Sequence, residues 1–206
     1  MIRLLLLAAI AGPLAASEAP VPPPAPTPAP KTELVALETG QGTIRIAVEV
    51  ERAPVTAANF LRYVREKRLD GASFYRALRL TPDGTYGLIQ GGLKNDPKRV
   101  LPPITHEPTT TTGLSHGDGA ISMARAAPGT AQGDFFIIVG GLPALYAQSA
   151  GDGDTAGYAV FGRVVEGMEV VKAILAAPVD PAAGEGAMKG QMLAAPVRIV
   201  RAARLP

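Results

Sequence analysis

The chain has 206 residues, of which 47% are hydrophobic and 18% are charged, a composition typical of a globular protein. Its length is sufficient for one domain with a full hydrophobic core. The formal net charge is +2, and the basic residues form no stripe with interleaved aromatics, so no nucleic-acid partner is expected. The absence of cysteine excludes disulfides and thiolate chemistry. Neither of the two histidines, His106 and His116, belongs to a metal-binding motif, so neither a metal nor a cofactor is expected.

The N-terminal residues 1–17 have the pattern of an export signal peptide. Arg3 gives a short basic start, and an apolar run to Ala16 follows that is too short to span a bilayer. Small residues near Ala16 and Ser17 suit cleavage. We therefore expect a periplasmic or otherwise exported protein with no stable membrane insertion after cleavage. An uncleaved N-terminal anchor is the alternative.

Residues 18–32 are predicted to be a linker, because "APVPPPAPTPAP" at 19–30 favours an extended polyproline II conformation. We interpret it as a solvated tether, and the alternative is a ligand for a proline-binding partner. The folded domain is predicted to occupy residues 33–206.

The domain begins with two predicted strands around the turn "GQG", where Ile44, Ile46 and Val48 share one face. A helix is predicted in "APVTAANFLRYVREKRL", with Thr56 as its N-cap and Phe60 in its apolar stripe.

Short strands and glycine-rich turns then alternate, in the segments "SFYRALRL", "YGLIQGG", "GAISMAR", "DFFIIVGG" and "YAVFGRVV". A second helix is predicted in "EGMEVVKAIL", and "VRIV" forms a last strand. Many short strands with only two helices favour a mainly β fold, an antiparallel barrel whose ends the helices plug. In "DFFIIV", alternation sends Phe135 and Ile137 to one face and Phe136 and Ile138 to the other.

Arg76 is the residue that least fits these strands. At period two it shares a face with Phe74, Leu78 and Leu80, and a buried guanidinium is costly unless it is paired or functional. The alternative is an inverted strand or a solvated strand end.

Four segments, in this order, resemble a cyclophilin-type peptidyl-prolyl cis–trans isomerase: "SFYRALR", "LIQGG", "GAISMARAAPGTAQGDFFI" and "GYAVFGRVVEGMEVV". "APVTAANF" is similar to the first-helix motif of that family. The resemblance extends from Glu33 to Ile199 and is to the bacterial exported branch. It implies a closed eight-stranded antiparallel β-barrel capped by two α-helices, with proline-containing polypeptides as substrates and no cofactor.

The resemblance also implies roles for single residues. Arg76 matches the catalytic arginine, and Gln90 matches the glutamine that steadies it. Ala124 and Arg125 match the stretch whose backbone pairs with the substrate, and Phe136 matches the floor of the proline pocket. The other implied substrate-binding positions are Leu88, Met123, Asp134, Leu145 and Tyr158. Met123 is equally well interpreted as barrel core.

Several positions depart from the family pattern or leave alternatives open. Asp134 stands where a glutamine is common. We expect it to pair with Arg76 or Arg125 and to favour basic residues beside the substrate proline, or else to cap the turn after "TAQG". Ala144 stands where many members have an aromatic residue, which predicts a shallower pocket. His116 is interpreted as a structural loop histidine, and a base beside Asp118 is the less favoured interpretation.

A monomeric isomerase is the function expected. The alternatives are a catalytically weak proline-binding module or holdase, and a structural envelope protein tethered by its Pro-rich segment.

Overall fold

The computed structural model describes residues 29–148 and 155–206. The predicted signal peptide and most of the predicted linker lie outside these residues, so both stay predictions. Among the described residues, no helix has both the length and the apolar character that a membrane crossing requires.

Strands account for most of the regular structure. Their bounds are β1 Glu33–Thr39, β2 Gly42–Val48, β3 Ser73–Arg79, β4 Gly87–Gly92, β5 Ala120–Met123, β6 Phe135–Val139, β7 Val160–Glu166, β8 Val179–Asp180 and β9 Met192–Arg204. Pairing is antiparallel in the order β1–β2–β7–β5–β6–β4–β3–β9, and β9 pairs back with β1. This closes a barrel of eight strands, which confirms the predicted fold, and the two-residue β8 lies outside it beside β9.

Among the described residues, three α-helices accompany the barrel: α1 Pro54–Arg65, α2 Thr109–Thr112 and α3 Met168–Ala176. Helices α1 and α3 are the two that the sequence predicts. Helix α2 was not predicted, because four consecutive threonines carry no apolar periodicity.

The predicted N-cap of α1 is wrong. The helix begins at Pro54, with Ala53 in the N-cap position, so Thr56 lies inside the first turn. The carboxylate of Glu107, far away in sequence, accepts the main-chain N–H groups of Val55 at 3.1 Å and Thr56 at 2.7 Å. A side chain distant in sequence thus accepts hydrogen bonds from the free N–H groups of the first helical turn, which a side chain at the N-cap position usually accepts.

The barrel interior is a continuous apolar core. The ring of Phe60 in α1 meets that of Phe135 at nearly a right angle, with centroids 5.6 Å apart, and lies 5.0 Å from the ring of Phe161. Phe74 packs edge-on against Phe135 from the third strand, at 5.8 Å. Helix α3 adds Ile174, which is fully buried in the same cluster.

A second, smaller apolar cluster lies on the outer face of the sheet. Its buried members are Leu88, Ala120, Phe136, Ile138, Leu142 and Val160. Strand β6 divides between the clusters as predicted: Phe135 and Ile137 belong to the interior, whereas Phe136 and Ile138 belong to the outer cluster. The fold therefore presents a partly apolar surface outside the barrel, across β4, β5, β6 and β7.

Candidate active site

A β-bulge in β3 brings Arg76 to the outer face. Phe74 pairs with Gly91 and Arg76 pairs with Gln90, so Tyr75 is an extra residue without a cross-strand partner. Two consecutive residues, Tyr75 and Arg76, consequently point outward, while Phe74 belongs to the interior core. The assumption of strict period two, which put Arg76 on the face of Phe74, is therefore wrong.

The strand register aligns three of the predicted site residues. Arg76 on β3 is the partner of Gln90 on β4, and Gln90 is the partner of Phe136 on β6. A cavity of about 800 Å³ opens over this row, and we call it the groove. Its apolar lining at this point comes from Leu78, Leu88, Leu145 and Tyr158.

Neutral acceptors hold the Arg76 guanidinium. Its Nη1 donates to Gln90 Oε1 at 2.8 Å, while Nε and Nη2 donate to Gln191 Oε1 at 2.9 and 2.6 Å. Gln90 Nε2 in turn donates to the Tyr75 hydroxyl at 2.7 Å, which fixes the orientation of the Gln90 amide. Three of the five guanidinium N–H donors are thus engaged, leaving one on each terminal nitrogen.

Arg76 retains its charge without a carboxylate beside it. None of the ion pairs among the described residues includes Arg76. Burial lowers the pKa of Arg76 from its ordinary value, because a half-buried cation loses hydration. An arginine pKa starts so high that the group stays protonated at working pH. The groove therefore contains a permanent cation with two available donors.

Gln191 was not among the predicted site residues. This residue lies in the Gly- and Ala-rich loop that precedes β9, and no motif singles it out. The pairing of β9 with β3 brings this loop to Arg76. The proximity of Gln191 to Arg76 could therefore be predicted from the strand topology but not from the local sequence.

An aromatic pair forms the wall of the groove beside the arginine. The rings of Phe136 and Tyr158 meet edge to face, with centroids 5.3 Å apart and planes at 84°. The Arg125 guanidinium lies 4.9 Å from the centre of the Tyr158 ring, and its Nε donates to the Gly157 carbonyl at 3.0 Å. Arg125 thus packs against the Tyr158 ring, and the attraction between the cation and the aromatic ring stabilises this contact.

Asp134 lines the groove but bonds to the main chain. Its carboxylate accepts the N–H groups of Lys94 at 2.9 Å and Asn95 at 3.2 Å, two residues with positive φ. The predicted pairing with Arg76 or Arg125 is therefore wrong, and Asp134 instead stabilises the turn after β4. A Cβ at Gly92, whose φ is 133°, would collide with this carboxylate, which explains the second glycine of "QGG". Burial raises the pKa of Asp134, and these N–H donors oppose the rise.

Met123 and His116 lie away from the groove surface. Met123 is 2% exposed and belongs to the barrel interior, so its assignment to the substrate-binding surface is corrected to core. His116 is fully buried against the Tyr146 ring, at 5.2 Å, and neither ring nitrogen has a hydrogen-bond partner. The Asp118 carboxylate accepts the Gly140 N–H at 2.8 Å, so the two do not form a catalytic pair.

Within residues 29–148 and 155–206, no group of three or more His, Asp or Glu side chains could hold a metal ion.

Sequence comparison decides the family. The model of the family described as cyclophilin type peptidyl-prolyl cis-trans isomerase/CLD matches residues 34–203, nearly the whole described domain. The chain is a cyclophilin-type peptidyl-prolyl cis–trans isomerase.

Curated relatives and solved structures agree with this cyclophilin assignment. The chain is 35% identical over 149 residues to a peptidyl-prolyl cis-trans isomerase of Acinetobacter baylyi, covering 70% of this chain and 73% of the relative. It is 36% identical over 143 residues to peptidyl-prolyl cis-trans isomerase A of Dickeya dadantii, covering 68% and 70%. A cyclophilin structure from Cryptosporidium parvum superposes with a TM-score of 0.68 at 19% identity, covering 85% of this chain and 99% of that one, which shows the shared fold.

In this cyclophilin, nine of the ten predicted site residues line the groove, and Met123 is the exception. The nine are Arg76, Leu88, Gln90, Ala124, Arg125, Asp134, Phe136, Leu145 and Tyr158.

Proposed function

We propose that the groove binds X–Pro segments of polypeptides and that Arg76 accelerates their cis–trans isomerisation. The uncatalysed barrier is about 20 kcal/mol, because the lone pair of the prolyl nitrogen is conjugated with the carbonyl. A donor directed at that nitrogen favours the twisted, deconjugated state. The observation that carries the proposal is the guanidinium held by two amides, with one donor left on each terminal nitrogen.

Neutral acceptors suit this role better than a carboxylate. An ion pair would neutralise Arg76 and weaken its attraction for electron density on the prolyl nitrogen. Gln90 and Gln191 fix the direction of the guanidinium and leave its net charge intact. Partial burial strengthens the remaining electrostatic interaction, since fewer water molecules screen it.

The apolar part of the groove supports the same function. Phe136 and Tyr158 present a ring edge and a ring face to each other, and Leu88 and Leu145 complete an apolar recess beside Arg76. A proline ring is compact and apolar, so such a recess can hold the ring while the preceding amide rotates past the arginine.

The magnitudes require both parts. A hydrogen bond from a charged group contributes about 1.5–3 kcal/mol, whereas a 10⁴-fold acceleration needs about 5.5 kcal/mol. Arg76 alone is therefore insufficient. The remainder comes from grip on the proline ring and from exclusion of water around a twisted amide.

Export is the second part of the proposal. The signal-like pattern of residues 1–17 supports action on exported or folding polypeptides in the periplasm. The two bacterial relatives support placement of the chain among bacterial members of the family. We propose that the enzyme acts as a monomer.

The decisive experiment compares Arg76→Ala with Arg79→Ala in a protease-coupled assay on a proline tetrapeptide. Arg79 lies on the same strand, is exposed and does not line the groove, so it controls for loss of a cation from β3. We expect Arg76→Ala to lower kcat/KM at least about tenfold, with Tm unchanged or raised, because a half-buried cation contributes little to stability. Arg79→Ala should keep kcat/KM.

Full activity in folded Arg76→Ala would remove Arg76 from the mechanism. Saturable binding of the peptide by the parent protein in an NMR titration, without any rate increase, would instead establish a proline-binding module or holdase.

A further inference from the structure

The loop between β8 and β9 supplies a residue that touches the proposed catalytic arginine. Gln191 Oε1 accepts two N–H groups of Arg76, at 2.9 Å from Nε and 2.6 Å from Nη2. Gln90 accepts only one, from Nη1 at 2.8 Å. Gln191 therefore contacts the guanidinium along the edge that Gln90 leaves open.

The main chain on both sides of Gln191 is fixed. Its N–H donates to the Met188 carbonyl at 3.1 Å, and its carbonyl accepts the N–H of Ala77 on β3 at 2.9 Å. The next residue, Met192, is the cross-strand partner of Arg76. The loop thus places Gln191 beside Arg76 through the same strand pairing that builds the barrel.

The Gln191 amide is also oriented. Its Nε2 donates to the Ala187 carbonyl at 2.6 Å, within the 3₁₀ turn Gly186–Met188. Because the nitrogen is engaged there, the oxygen faces Arg76. A flipped amide would turn two donors toward a cation and lose both contacts.

Two acceptors on different edges define the plane of a guanidinium, whereas one acceptor leaves it free to pivot. Arginine has several rotatable bonds, and a small error in donor direction is costly in catalysis. We propose that Gln191 is a positioning residue, which with Gln90 holds Arg76 in the orientation that serves the prolyl nitrogen. This inference rests on the proposed function of Arg76.

The first experiment compares Gln191→Met with Gln191→Glu. Methionine keeps the length of the side chain but removes the acceptor, whereas glutamate keeps an acceptor oxygen at the same distance. We expect Gln191→Met to lower kcat by about five- to tenfold while KM changes less than about twofold, because binding of the proline ring does not involve Gln191. Gln191→Glu should keep the guanidinium oriented, but its carboxylate partly neutralises Arg76. We therefore expect kcat to fall about two- to threefold, less than in Gln191→Met.

Gln41→Met is the matched control. Gln41 is exposed in the turn between β1 and β2 and does not line the groove, so its replacement should leave both constants unchanged. A loss of kcat in Gln191→Met that is matched by an equal rise in KM would mean that the loop supports binding and not arginine orientation, and would overturn the proposal.

A double-mutant cycle separates this inference from the proposed function. With Arg76→Ala as background, Gln191→Met should have no further effect on kcat/KM, because Gln191 acts only through Arg76. Additive losses would overturn the positioning role while leaving that of Arg76 standing. If Arg76→Ala itself is fully active, the proposed function fails first.

NMR of the parent protein tests the same point without a substitution, should Gln191→Met fail to fold. The Arg76 Nε–H should exchange slowly with water, since Gln191 Oε1 accepts it. Rapid exchange of this proton would contradict the proposal.

Discussion

The inner and outer faces of β3, β4 and β6 are built from the same strands but depend on different interactions. The inner face carries Phe74, Ile89 and Phe135, which are at most 1% exposed and make only apolar contacts. The outer face carries Arg76, Gln90 and Phe136, two of which depend on hydrogen bonds to other elements. The comparison teaches that the interior requires apolar side chains that fill its volume, whereas the groove requires particular polar groups that point in particular directions.

Separate substitutions of the two adjacent phenylalanines of β6 should give the largest difference between the effects of the inner and outer faces. Phe135→Ala should lower the free energy of unfolding by about 3–5 kcal/mol, because it opens a cavity among Phe60, Phe74 and the barrel core. The kinetic constants of the folded fraction should stay unchanged. Phe136→Leu should cost roughly 1 kcal/mol of stability but raise KM several-fold, because it reshapes the recess for the proline ring. Urea unfolding and steady-state kinetics measure the two effects.

An unaltered KM in Phe136→Leu would show that Phe136 only packs, and the two faces would then differ less than proposed.

His116 extends the comparison to the loop behind the groove. Burial lowers its pKa to about 4, since the charged imidazolium loses hydration. The unfolded chain, with a pKa near 6.5, binds the proton more tightly than the folded protein. The contribution of neutral His116 to the free energy of unfolding should therefore be complete above about pH 6.5 and should be lost as the pH drops toward about 4.

Urea unfolding between pH 4.5 and 7.5 measures this slope, and His116→Leu should reduce it. Asp134 contributes to the pH dependence of stability with the opposite sign. Its raised pKa makes the free energy of unfolding fall as the pH rises past the ordinary pKa of an aspartate. Because the parent and His116→Leu both contain Asp134, its contribution cancels when their slopes are compared. An equal slope in His116→Leu and parent would mean that folding does not lower the pKa of His116.

The smallest expected effect concerns charge at the end of the groove. Asp134 is buried and bonded to the main chain, whereas the Lys94 side chain is exposed, with Nζ 5.1 Å from the centre of the Tyr75 ring. The accessible charge there is positive, so substrates with a glutamate beside the proline should be preferred, the reverse of the preference inferred from Asp134 in the sequence. Lys94→Gln should reduce the kcat/KM ratio of Glu-flanked to Lys-flanked peptides about two- to threefold, and less at high salt.

Lys98→Gln, a neighbouring exposed lysine outside the groove lining, should keep that ratio. A preference for Lys-flanked peptides in the parent would show that Lys94 does not set the potential there.

Alternation and apolar periodicity predicted most of the fold, because strands and helices that bury one face must repeat with periods of two and about 3.6 residues. Alternation separated Phe136 and Ile138 from Phe135 and Ile137 in this way, and the family resemblance indicated that Phe136 belongs to the pocket. The bulge at Tyr75 was not predicted, since an extra residue leaves no mark in the residue pattern. Thr56 was misassigned as a cap because its partner, Glu107, is distant in sequence.

The groove was predictable only where a family motif names its residues. The resemblance placed Arg76 and Gln90 together, and their cross-strand pairing agrees. Gln191 was missed because it depends on which loop the topology brings to β3. The partner of Asp134 was wrong because its main-chain donors in the turn after β4 outcompete an arginine that neighbouring amides already hold.

Closure of the barrel has a consequence for the handling of unfolded polypeptides. Each of the eight barrel strands has hydrogen-bonded neighbours on both sides, and among the described residues the one remaining sheet edge is the two-residue β8. Main-chain pairing with an extended chain in the groove is therefore expected only at the short stretch Ala124–Arg125 and not along a full strand edge. We therefore expect the closed barrel not to serve as a template on which extended chains stack.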